Sequence, residues 1–127
     1  MTPLHPTGQR IAFRALFEQP LFLRLFINDR APGDKDTAAN FKEADFAGYK
    51  AKRLTFKDWT IDGLTATLPR QVFESTDRRE AMQNVYGWLL ARGDGELVHA
   101  EQFPDGPYTV VNEGDEIKVS VTIKGPV

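Results

Sequence analysis

The chain has 127 residues, enough for one domain of ordinary size with a core of its own. Sixteen basic and eighteen acidic residues give a net charge of -2, and no run concentrates one sign, which argues against a nucleic-acid binder and its basic stripe. With no cysteine there is neither a disulfide framework nor a thiolate metal site, and no mark of an oxidising compartment.

Residues 1–8 hold Pro3, Pro6 and Gly8 and read as an extended N-terminal arm, leaving residues 9–127 as a single β-sandwich domain. The opening Met1-Thr2-Pro3-Leu4-His5-Pro6 has no cationic patch followed by an apolar core, so no secretory signal is expected. From Gln9 to Glu18, Ile11, Ala12, Ala15 and Leu16 recur at helical spacing, with Phe13 and Phe17 at i, i+4 beside them; Pro20 ends this short helix. Leu21 to Asn28 is the first strong strand, with Leu21, Leu23, Leu25 and Ile27 on one face and Phe22, Arg24 and Phe26 on the other. Asn28 to Asn40 is a turn-rich loop, long enough to be a surface feature with work of its own.

Tyr49 to Phe56 alternates like a strand with one wet face. Trp59 to Gly63 reads as a turn with Trp59 folded back on the core, Leu64 to Leu68 and Gln71 to Glu74 as short strands, and Ser75 to Glu80 as a polar loop. The stretch from Asn84 to Phe103 organises the rest. Val85 to Ala91 and Glu96 to Phe103 are two extended runs joined by Arg92-Gly93-Asp94-Gly95, a β-hairpin apolar enough to lie inside a sheet. A continuous strand puts Tyr86, Trp88 and Leu90 on one face and Val85, Leu89 and Ala91 on the other. Gly87 in mid-strand marks a place where an aromatic neighbour packs on bare backbone.

Pro104 to Pro107 breaks the sheet, Tyr108 to Val111 re-enters it, and Asn112 to Asp115 turns into the last strand. From Glu116 to Lys124, Ile117, Val119, Val121 and Ile123 alternate without error against Lys118, Ser120, Thr122 and Lys124. The expected fold is all-β: a two-sheet antiparallel β-sandwich or jelly roll with one short N-terminal helix. The most apolar stretches, Leu21 to Ile27 and Val85 to Ala91, fall far short of the roughly 20 residues that span a bilayer.

Paired carboxylates at Asp34/Asp36, Asp94/Glu96 and Asp115/Glu116 lie beside Gly or Pro, where turn chemistry accounts for them. The loop holding Asp34 and Asp36 lacks the residue order of a calcium-binding loop. His5 and His99 have no partner histidine at metal-ligand spacing, and Ser75 and Ser120 sit in no nucleophile motif. No catalytic residue, metal or cofactor is assigned. Arg78 and Arg79, with Arg70, form a basic group that could meet phosphate or an acidic partner, against the ordinary reading of solvated surface charge. Nine Phe, three Tyr and two Trp are many for a small sandwich. They either fill both faces of a wide sheet or supply an obligate interface.

The helical lead-in, LFLRLFIND with Pro32 after it, Gly48-Tyr49-Lys50-Ala51, Val85-Tyr86-Gly87-Trp88, Gly95 to Phe103 and Asn112 to Ile117 together resemble small structural proteins of tailed-bacteriophage virions, over about residues 9–124. The resemblance implies a non-enzymatic capsid cement or decoration protein on the virion's capsid exterior, assembled in the host cytoplasm. It would bridge and stabilise capsomers of the major capsid protein and associate with itself as a dimer or trimer, with no direct contact to nucleic acid or membrane. Related folds also serve as tail-fibre or head-fibre modules that bind receptors or glycans. The residues expected to touch partners are His5, Phe13, Phe17, Asp34, Asp36, Arg78 and Arg79.

Overall fold

The computed structural model describes residues 3–125, and the chain folds into an all-β, sandwich-like structure with one N-terminal helix. Helix α1 spans Pro6–Glu18. It begins earlier than expected, because proline in the first helical turn lacks only an N–H that has no intrahelical partner there. His5 precedes it as the cap, its Nδ1 accepting the Thr7 N–H at 3.2 Å. The expected arm therefore shrinks: Pro6, Thr7 and Gly8 are helical, and Met1 and Thr2 lie outside the described residues. The helix stops at Glu18, where Pro20 holds Gln19 in extended backbone (φ -91°, ψ 154°).

Eleven strands follow among the described residues. In chain order they are β1 (Leu21–Phe26), β2 (Lys52–Leu54), β3 (Thr60–Asp62), β4 (Thr65–Thr67), β5 (Gln71–Glu74), β6 (Gln83–Val85), β7 (Gly87–Arg92), β8 (Leu97–Gln102), β9 (Tyr108–Val110), β10 (Glu116–Val119) and β11 (Thr122–Lys124). All pair antiparallel. The largest sheet has the order β2-β1-β7-β8, and the remainder form β11-β4-β3, β10-β5 and β6-β9.

Leu21, Leu23, Leu25, Trp88 and Leu90 belong to the principal core, with Phe73, Ile117, Val119 and Ile123 from the smaller sheets and Val121 from the link between β10 and β11. The other face of the large sheet carries Phe26, Leu89 and Ala100, which Phe41 covers in a second, smaller cluster. The aromatics thus go largely inward. Phe17 is wholly buried, and its ring lies 4.6 Å from that of Trp59 and 5.0 Å from that of Phe13. Burying a side chain of this size is worth about 1.5–3 kcal/mol. Phe13 and Phe17 are therefore core residues rather than partner contacts, since their i, i+4 spacing aims both rings inward with Leu16. Of the apolar residues that recur at helical spacing, Ile11, Ala12 and Ala15 are exposed.

Three strands differ from the sequence pattern. Tyr49 to Phe56 yields only β2 before a 3₁₀ turn at Phe56–Asp58, and Thr60–Asp62 pairs with β4 where a turn was expected, although Trp59 does fold onto the core. In the last run, Ile117, Val119, Val121 and Ile123 are all buried as their alternation demands, but the strand is interrupted. β10 pairs with β5 and β11 with β4, the chain changing sheets at Ser120-Val121, where the Leu68 N–H donates to the Val121 carbonyl at 3.1 Å. Alternation decides which side chains point inward, not which strand lies alongside.

The hairpin also breaks where the glycine stands. Val85 ends β6 and pairs with Tyr108, while Gly87 pairs with Phe26 and the Tyr86 N–H donates to the same Phe26 carbonyl at 2.9 Å. One residue of β1 thus faces two on the other strand, a β-bulge that reverses the alternation. Val85 consequently shares the principal core with Trp88 and Leu90, and Tyr86 joins Leu89 in the small cluster, contrary to the continuous-strand pattern. β7 lies inside the sheet as expected, whereas β8 lies at its margin.

Candidate interaction surface

The loop after β1 is ordered by its own polar residues. Asn28 clamps its base, its Nδ2 donating to the Asn40 carbonyl at 2.9 Å and its Oδ1 accepting the Lys42 N–H at 2.7 Å. Inside it, Arg30 makes a two-pronged ion pair with Asp36 (Nε to Oδ2 3.0 Å, the second nitrogen to Oδ1 2.5 Å), and the Gly33 N–H donates to the same carboxylate at 3.0 Å. The Arg30 hydrogen bonds, with help from Gly33, hold the Asp36 carboxyl down at about 2. Asp34 is exposed and makes no hydrogen bond or ion pair among the described residues.

This loop runs beside the outer edge of β8. The Phe103 N–H donates to the Tyr86 carbonyl at 2.8 Å, and alternation along an antiparallel ladder then turns the backbone N–H and C=O of Ala100 and Gln102 away from β7. No other strand pairs with them among the described residues. The Gln102 side chain bridges edge and loop, donating to Asp29 Oδ1 at 2.9 Å.

Three clefts follow one another along the strand. The first, about 480 Å³, lies between Asp36–Ala39 and Asp94–Leu97. The second, about 330 Å³, lies between Pro32, Gly33, Asp34 and Asp36 and the Leu97–Ala100 stretch. The third, about 620 Å³, opens beyond Ala100 toward Phe103, Asp105, Tyr108 and Lys118. In that last cleft the Tyr108 hydroxyl donates to Asp105, which raises the phenol's pKa, and the Phe103 and Tyr108 rings meet at 4.7 Å. Arg92 stands 3.7 Å from Asp94 and 3.6 Å from Glu96 at the hairpin turn, and His99 Nε2 lies 3.8 Å from Glu101.

The residues singled out in the sequence fall in separate places. His5 caps α1, which packs on the principal core, while Asp34 and Asp36 belong to the loop on the opposite side of the large sheet. Arg79 is tied down: its guanidinium lies 3.5 Å from Asp45 and donates to the Ala81 carbonyl at 3.1 Å. Asp45 is also held by the Gln83 amide at 2.7 Å, the leading cause of its lowered pKa. Arg78 is exposed beside it. Sequence reasoning missed Gln102 as the partner of Asp29, and Glu101 and Asp105 as borders of the cleft that the loop's Pro32 shares, since their meeting depends on β8 being a sheet margin. Among the described residues no group of three or more His, Asp or Glu is placed to hold a metal ion, and no helix is long and apolar enough to cross a membrane. Comparison with protein-family models, curated proteins and solved structures finds no match.

Proposed function

We propose that this chain is a non-enzymatic structural subunit of a tailed-bacteriophage virion, a cement or decoration protein on the capsid exterior that bridges capsomers of the major capsid protein. The observation that carries the reading is the open margin of β8 beside a loop already ordered by Arg30, Asp36 and Asn28. A loop held in place before docking loses little conformational entropy on contact, which suits a subunit whose work is to be clamped between others. Leu4 and Ile11, 61% and 65% exposed near and on α1, offer apolar ground for a dimer or trimer. Both tryptophans are buried, so neither is a platform for sugar stacking, which leaves the glycan-binding reading only the half-buried tyrosines.

The test is to mix purified protein with empty shells that lack it and sediment the mixture. Saturable binding at a fixed ratio to the major capsid protein, with shells that withstand more heat, supports the proposal. Failure to co-sediment, or a strong hit on a glycan array, overturns it.

A further inference from the structure

We infer that the outer edge of β8 is a docking site for an extended, lysine- or arginine-bearing segment of a partner protein, which adds to the large sheet as a fifth strand. The backbone supplies the first half of the argument. Ala100 and Gln102 turn outward N–H and C=O groups that no strand pairs among the described residues, and such a margin is a template for one more strand. The clefts on either side of Ala100 leave room for that strand's side chains.

Charge supplies the second half. Asp34, Asp36, Asp94, Glu96, Glu101 and Asp105 border the clefts; Arg30 and Arg92 pair with three of these six, and Lys35 and Lys118 are the other cations beside them among the described residues, which leaves the acids in excess. Asp34 and Asp105 have no cationic partner among the described residues, so a cation from outside completes them. A second copy of this chain fits poorly, because it would bring its own acidic border against this one. The proposal deepens the reading of the chain as a docking subunit, with the partner's segment defined by charge and extended backbone.

The probe is a labelled, end-capped ten-residue peptide alternating Lys with Thr, and the control alternates Glu with Thr. Fluorescence anisotropy with the full chain should show the Lys peptide binding at least about tenfold tighter at low salt, the preference shrinking as salt screens the charges. Hydrogen exchange of the unmodified protein should slow at the Ala100 and Gln102 amides when the Lys peptide is bound. The double variant Asp34→Asn, Glu101→Gln should weaken binding several-fold without moving the melting temperature. Equal affinity for both peptides, binding that leaves those two amides unprotected, or protection that appears through self-association without peptide each overturns the inference. No shell enters this assay, so its failure leaves shell binding standing, and loss of shell binding leaves this result standing.

Discussion

The ring of Phe26 lies over the bare backbone of Gly87: a Cβ built on that glycine would come within 2.5 Å of Phe26 Cζ and press on the Glu101 carbonyl oxygen. The glycine is needed for space, because its neighbours are a strand backbone and a buried ring that cannot swing away. Gly87→Ala should destabilise the fold by about 1–3 kcal/mol, the usual range for overpacking. Gly95→Ala should cost about 1 kcal/mol, for φ +90° alone, since nothing lies within 4 Å of its would-be Cβ. Urea midpoints for the two variants check the order; a milder Gly87→Ala would remove the close approach from the account.

Phe17 and Ile11 separate core from surface on one helix. Phe17→Ala should cost about 3–5 kcal/mol, whereas Ile11→Ala, at a side chain 65% exposed, should fall within about 0.5 kcal/mol of wild type. Thermal melts of the isolated protein decide. An Ile11→Ala variant that melts unchanged but no longer self-associates would place the oligomer contact on α1.

Tyr49 takes up the one Leu25 backbone group, its N–H, that the bridge to residues 42–44 leaves without a strand acceptor. The β1–β2 register ends at Leu23 and Lys52, and the Leu25 N–H instead donates to the Tyr49 hydroxyl at 3.2 Å, which itself donates to Glu43 at 2.6 Å. Burial is the leading cause that pushes the phenol's pKa upward, so it stays protonated through the working pH range. Tyr49→Phe keeps the ring stacked on Phe73 but strands the amide, at a cost of about 1–3 kcal/mol. Faster hydrogen exchange at Leu25, with Phe46 and Phe73 unaffected, is the expected signature.

The Arg30–Asp36 pair predicts an acid limb in stability. Folded Asp36 titrates at about 2 against an ordinary 3.8, so on acidification the unfolded chain takes up this proton first. The pair's support is fully present above roughly pH 4 and is lost as pH falls through about 2. The stability difference between wild type and Asp36→Asn should be greatest near neutrality and vanish by that limit. Asp45 and Asp115 are also depressed, by Gln83 and by the Asn112 and Val111 amides respectively, so the variant keeps a residual slope of the same sign. Denaturation midpoints across the acid range test the sign; a difference that grows on acidification would refute it.

Local chemistry made much of this protein legible in advance. The period-two runs named the buried side chains of β1 and of the last strands, Pro20 placed the helix end, and Gly87 announced its aromatic cover, because each depends on atoms a few residues apart or on a pattern that the pleat must obey. The same reasoning expected Phe13 and Phe17 to touch partners, yet both are buried in the chain's own core, because whether a ring meets a core or a partner depends here on Trp59, some forty residues away.

The sequence by itself determined an all-β body and the inward face of most strands. Tertiary structure alone decided that the final run serves two sheets, that a bulge at Tyr86-Gly87 exchanges faces, and that β8 ends a sheet with Asp29, Asp34 and Glu101 gathered along it. Those outcomes turn on which strand pairs with which. Backbone hydrogen bonds carry no side-chain label, so pairing is chosen by the closure of the whole core rather than by any stretch of residues.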